Sequence, residues 1–167
     1  MKKILVLIIG LLCSYNAISQ SAVTYFNRGV DKVETGDYEN AILDFNKSIE
    51  LNPKDSYAYY SRGVAKIFLK DLKGAISDFN KSIELNPNDS RPYINRASAK
   101  GQLQDHRGAI LDYNEAIELN PKDALAYYNR GYAKLNLDNI NGACIDWSKA
   151  GELGYGKAYD FIKKYCN

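Results

Sequence analysis

Between Ser56 and Asp89 the apolar and polar positions fall into two unlike halves. Residues 56–69 are apolar nearly all the way round, with Tyr57, Tyr59 and Tyr60 near the start and Ile67, Phe68 and Leu69 at the end. Lys70-Asp71 interrupts the run. From there Ala75, Phe79, Ser82 and Ile83 mark a stripe at i, i+4, i+7 and i+8, the spacing of a helix with one buried face. Asn86-Pro87 ends it, because proline cannot continue a helix and drives the residue before it out of helical geometry. The pattern predicts two helices joined by a tight turn.

That hairpin recurs along the chain. Leu-Asn-Pro ends at Pro53, Pro87 and Pro121, spaced by 34 residues. Arg-Gly appears at Arg28-Gly29, Arg62-Gly63 and Arg130-Gly131, with Arg96-Ala97 between them. Ala41, Ala75, Ala109 and Ala143 hold one phase, and Phe45, Phe79, Tyr113 and Trp147 another. Tyr25, Tyr59, Tyr93 and Tyr127 hold the fourth place of units 22–55, 56–89, 90–123 and 124–157. A helical hairpin repeated at this period resembles the tetratricopeptide repeat, TPR. The resemblance runs from Ala22 to about Lys157 and implies an all-α fold, an α-solenoid of four TPR hairpins.

The physics of these positions stands beside the resemblance. Two helices approach closely only where small side chains meet, so the repeated glycine is expected to face the repeated alanine, with aromatics filling the flanks. Asp37, Asp71, Asp105 and Asn139 are suited to cap each second helix; Asp55, Asp89 and Asp123 suit the next first helix, and Ser21 the opening one. Arg28, Arg62, Arg96 and Arg130 share one phase and Asp44, Asp78, Asp112 and Asp146 another. In an antiparallel hairpin these lie at one level, so each Asp is expected to pair with an Arg of its own unit or the next.

Both ends differ from the repeat. The fourth unit has Tyr155 where the others have proline, and Gly151, Gly154 and Gly156 crowd its exit. Residues 158–167 then present Phe161, Ile162 and Tyr165 on one side and Asp160, Lys163 and Lys164 on the other, a half-repeat suited to cap the apolar flank of the last hairpin. At the other end Lys2-Lys3, the apolar run from Ile4 to Leu12 and Ala17-Ile18-Ser19 have the form of a secretory signal peptide over 1–19, cleaved before Gln20. The apolar run is too short to span a bilayer, which takes roughly 20 residues. The competing reading is a lipoprotein anchored through Cys13, against which stands the bulky Leu12 before it. The expected location is therefore exported, periplasmic or secreted, as for an exported bacterial protein.

Charge narrows the partners. The chain carries 22 basic and 20 acidic residues, and loss of Lys2 and Lys3 leaves the two signs equal. No basic block is visible, which argues against nucleic acid or stable membrane insertion.

Chemistry is sparse. The single histidine, His106, adjoins a turn, the cysteines lack metal-ligand spacing, and the repeated aspartates fall one per unit as scaffold does. Neither catalysis nor a cofactor is expected. Cys144 and Cys166 are expected to form a disulfide, since export places them in an oxidising compartment and the capping helix must pack against the helix bearing Cys144. Two buried free thiols are the alternative.

What remains is a surface. By the resemblance, the first helices line a concave face. Residues carried over to it include Phe26, Tyr57, Tyr60, Ile67, Phe68, Arg91, Ile94, Leu125, Tyr128, Tyr132 and Leu135, and between them Ser98, Gln102 and Asn136. Aromatic side chains on rigid helices are good anchors, although several of these positions also suit packing between helices. Some members of the family clamp a terminal carboxylate with Lys and Asn at two positions that here are Phe26 and Val30, so no such clamp is expected. The reading is a non-catalytic scaffold that binds another protein or an extended peptide. The alternatives are an accessory subunit of an envelope complex using its convex or end surface, and a carrier of a small apolar ligand.

Overall fold

In the computed structural model, residues 20–166 are described. The expected signal peptide over 1–19, with Cys13 and the expected cleavage before Gln20, lies outside them. The described residues form helices with no strand: α1 (residues 20–34), α2 (Tyr38–Leu51), α3 (Ser56–Phe68), α4 (Leu72–Leu85), α5 (Ser90–Gln102), α6 (His106–Leu119), α7 (Ala124–Leu135), α8 (Ile140–Glu152) and α9 (Ala158–Tyr165). The fold is an all-α solenoid. Each odd helix pairs with the even helix after it, and each even helix packs on the next odd one. In addition α3 touches α5 and α5 touches α7, while the even helices make no comparable contact with one another. The stack therefore curves with the odd helices on its inner side.

The turns explain why the helices stop where they do. Gly36, Lys70, Gln104 and Asp138 occupy one phase and all have positive φ, between 59° and 79°. This left-handed residue ends the first helix of every unit, and only Gly36 adopts it without steric cost. The second helices are capped by Asp71, Asp105 and Asn139, whose side chains accept from the amides of Gly74, Gly108 and Gly142. Asp37 departs from this expectation. Its partner position is Asn40 rather than glycine, and its carboxylate takes the Asn40 side-chain amide instead of a backbone N–H. Asp55, Asp89 and Asp123 cap α3, α5 and α7. Ser21 lies inside α1 rather than at a cap.

The core adds a contact to the expected one. The nearest atoms to the repeated glycines at positions 29, 63 and 131 are those of aromatic rings. A Cβ built on Gly29 or Gly63 would stand 2.7 Å from the ring of Phe45 or Phe79, and one on Gly131 would stand 2.7 Å from the Trp147 indole nitrogen. The ring reaches across the hairpin and needs the whole width of a missing side chain, so an alanine there forces displacement. The alanines serve both interfaces: Ala41 clusters with Phe45 and with Ala65 of the next unit, and Phe26, Val30 and Val33 of its own unit pack against the same cluster. In the third unit Ala97 replaces the glycine and clusters with Ala109 and Tyr113.

Helix α9 closes the far end. Gly154, with φ of 94°, turns the chain back. Phe161 and Tyr165 then pack on Trp147 at 5.0 and 5.8 Å between ring centroids. Cys144 and Cys166 are joined by a disulfide, with Cα atoms 5.8 Å apart.

The inner face as candidate binding site

The inner helices are held at fixed rotation by one device repeated in each hairpin. Asp44, Asp78, Asp112 and Asp146 are buried, and each is bonded to both sides of an arginine fork from its own unit: Arg28, Arg62, Arg96 and Arg130. A lysine one turn along the same first helix, Lys32, Lys66, Lys100 or Lys134, reaches the second oxygen at 2.7 to 2.8 Å. Neither this lysine nor the next bond was foreseen from sequence, although both repeat at the same period. Arg62, Arg96 and Arg130 also donate across the unit boundary to Asn46, Asn80 and Asn114, at 2.6 to 2.8 Å. Each arginine lies 4.8 to 5.5 Å from the ring of Tyr25, Tyr59, Tyr93 or Tyr127. Bidentate, stacked guanidinium of this kind could not be replaced by lysine without loss.

On this frame the inner face divides into stretches of different chemistry. Between α1 and α3 lies an apolar cavity of about 150 Å³ walled by Val30, Val33, Phe45, Tyr60 and Val64. Beside it Phe68 stacks face to face on Tyr38, 4.4 Å apart, with over half its surface still open. In the middle, the Arg91 guanidinium lies 5.0 and 5.3 Å from the rings of Tyr57 and Tyr60 and is tied to Asp89 by paired bonds. The Asp89 carboxyl is held below its ordinary value by those bonds. Asn95 donates to the Tyr60 hydroxyl at 3.0 Å, and burial pushes that phenol up.

Between α5 and α7 the walls are mixed. A cavity of about 300 Å³ is lined by Ser98, Gln102, Gln104, His106, Asn129 and Asn136 together with Ala97, Gly101, Ala109 and Ala133, and Tyr113 and Tyr132 also border it. Burial drives the Tyr113 phenol well up, with Asn129 bonded to it as a partial offset.

Not every residue assigned to this face by sequence stands free on it. Tyr57, Phe68, Leu125 and Tyr132 are exposed large apolar side chains, and Tyr60, Ile67 and Arg91 are partly or largely open beside them. Phe26 instead packs on Phe45, and Ile94 packs against the cluster around Ala97 and Tyr113. Tyr128 is taken by the cap, at 4.7 Å from Tyr155 and 5.4 Å edge-on to Phe161, and Leu135 joins the same cluster. The reason is the cap itself: α9 brings its own aromatics to the end of the groove, and the nearest inner residues pack with them. Among the described residues no group of three or more His, Cys, Asp or Glu could hold a metal ion, and no helix is long and apolar enough to cross a membrane.

Comparison with known proteins agrees with this architecture. The family model described as TPR repeat matches residues 31–66 and 99–138, and that described as tetratricopeptide repeat matches residues 56–89. A crystal structure of MamA superposes with a TM-score of 0.77 at 22% identity, over 84% of this chain and 82% of that one. MamA 41-end from Desulfovibrio magneticus RS-1 gives 0.75 at 23% identity, over 79% and 75%. The first TPR of Spaghetti (RPAP3), bound to the HSP90 peptide SRMEEVD, gives 0.71 at 28% identity, over 72% of this chain and 95% of that one. No curated protein sequence matches the chain.

Proposed function

The chain belongs to the tetratricopeptide repeat family, and from that premise we propose that it is a non-catalytic scaffold binding an extended segment of another protein along its inner face. One observation carries the reading: an apolar cavity, an exposed stacked pair and an Arg–Tyr cluster succeed one another on adjacent inner helices. Rigid aromatic anchors of this kind bury area at little cost in side-chain freedom. The RPAP3 domain, similar over 72% of this chain, was solved with a peptide. Here Phe26 is turned onto Phe45, leaving that position without a basic or amide group for a terminal carboxylate. The groove then reads side chains along a segment rather than its end. A cavity of about 150 Å³ suits an aliphatic side chain and falls below the roughly 300 Å³ at which small-ligand pockets begin. The proposal includes export through the leader, with the disulfide formed in an oxidising compartment.

A second reading has its own observation. Leu43, Leu111 and Ile145 occupy one phase of the even helices and are each more than three-fifths exposed, so the outer face also offers an apolar row. Photo-crosslinking in cells separates the two. A benzophenone amino acid at Tyr57, Phe68 or Tyr132 should capture a partner, while the same residue at Leu111 or Ile145 should not. Crosslinks confined to the outer positions would reverse the assignment.

A further inference from the structure

We propose that the cavity between α5 and α7 receives an aromatic side chain of the bound segment, and that Gly101 sets this preference. The inference rests on the inner face being the peptide site, and it deepens that reading by naming one residue class the groove selects.

The groove holds two cavities at the same place in the repeat. Val30 and Val33 of α1 wall the first, and Ser98 and Gly101 of α5 hold the same two positions in the second. With those branched side chains missing, the space is about 300 Å³ rather than about 150 Å³.

Nothing in the fold requires the glycine. Gly101 lies within α5 and its φ is not positive, so no turn asks for it. A Cβ added there would have nothing within 4 Å. At every other described glycine inside a helix, an added Cβ would come within 3.0 Å of an aromatic ring or a capping side chain. Glycine is, proline apart, the least favourable residue in a helix. A glycine kept there without a packing reason leaves open a space for something that arrives from outside.

The lining shows what fits. Ala97, Ala109, Tyr113 and Ala133 are buried and form the bottom, while Gln102, Gln104 and Asn136 stand exposed at the rim. Tyr132, half exposed, borders the opening and offers a ring for an offset or edge-on contact. A leucine-sized group leaves part of the space empty and forfeits contacts with its walls. A charged group gives up water for an apolar bottom, and no Lys, Arg, Asp or Glu of the described residues lines the cavity to balance it.

The two cavities lie two inner-helix intervals apart. At about 8–10 Å per interval and about 3.3 Å per extended residue, that distance is about five or six residues. The bound segment therefore carries an aliphatic side chain and, about that far along, an aromatic one.

The test uses the purified, oxidised protein and capped peptides bearing a leucine and, about five or six residues on, Trp, Tyr, Leu or Ala, with serine elsewhere, in both chain directions. Binding is followed by NMR. The Trp and Tyr peptides should bind about tenfold tighter than the Leu peptide. They alone should place ring-current shifts on the methyl groups of Ala97, Ala109 and Ala133. N-acetyltryptophanamide, without the leucine, should bind at least about tenfold more weakly than the Trp peptide. Gly101→Ala should leave the urea midpoint level or raised. In Gly101→Val, and independently in Gly101→Leu, the aromatic peptides should bind no better than the Leu peptide. Binding without an aromatic preference or without the methyl shifts, a preference that survives both larger substitutions, or a midpoint lowered by Gly101→Ala overturns the subsite and leaves the groove reading intact. N-acetyltryptophanamide binding as tightly as the Trp peptide makes the cavity a site for a free aromatic molecule and overturns the subsite too. If no peptide of the series moves any groove resonance, both readings are overturned.

Discussion

Asp44 shows how one side chain couples the fold to pH. The Arg28 bond, and after it Lys32, holds its carboxyl below the ordinary value of 3.8 despite its burial. Asp89 is lowered likewise by Arg91. The folded protein therefore binds these protons less readily than the unfolded chain. The stability they supply is fully present above the unfolded value and is lost as pH falls through the lower folded one. Urea midpoints should be level from neutrality to about pH 5 and fall below about pH 4. Asp44→Asn should be less stable at neutrality, because it leaves two cations facing a neutral amide, and should show a shallower acid limb. An acid limb as steep in the variant as in the wild type would remove Asp44 from this account. The Arg–Asp half of the arrangement was legible because both members repeat at 34 residues. Lys32 and its equivalents repeat as faithfully, but a lysine on a helix fits a solvated surface equally well, so periodicity alone did not single it out. The left-handed residues were hidden for another reason: Lys70, Gln104 and Asp138 adopt the conformation without the glycine that announces it at Gly36.

At the scale of the element, α9 is the least self-sufficient helix. It has eight residues and no side-chain cap at its start, and isolated helices shorter than about 12 residues are marginal in water. Its order comes from outside: Phe161 and Tyr165 on Trp147, Tyr159 beside Gly151, and the bond from Cys166 to Cys144. The amphipathic pattern and the pairing of the cysteines were readable from the sequence. That Tyr128 would leave the open groove to pack with the cap was not, because the same position in α3, Tyr60, remains with Arg91 and Asn95. With the cysteines separated by 22 positions in sequence, reduction should lower stability by about 3 kcal/mol on the chain-entropy model. Urea unfolding with and without reductant measures this. Limited proteolysis should place the first new cuts in residues 153–166. A free-thiol count showing neither cysteine paired in the exported protein would remove the bond from the account, and early cuts in α4 or α5 would contradict its local action.

The whole molecule is a row of like units, so its stability is a sum of unit and interface contributions, and its two ends need not be equal. The interface contribution is visible. Arg62, Arg96 and Arg130 each bond forward to their own Asp and backward to an Asn of the preceding unit, and their side chains are only 16% to 18% exposed. Among the described residues Arg28 makes the forward bond alone, and the Arg28 side chain is 54% exposed. At the other end Ser148 takes the place of the asparagine, but there the stack is closed by a packed helix and a covalent bond. The first hairpin should consequently open at lower free energy than the rest. Native-state hydrogen exchange should show the slowest amides in α3 to α6, faster ones in α1 and α2, and α7 and α8 close to the centre while the disulfide is intact. Reduction should raise exchange in α8 and α9 and leave α1 and α2 unchanged, since nearest-neighbour coupling does not carry the loss across two intervening hairpins. Asn46→Ala, which cuts the first backward bond, should speed exchange in α1 and α2 more than Asn114→Ala does. One opening free energy shared by all helices, moved equally by either substitution, would mean that the solenoid opens as a single body and that its ends are not distinguished.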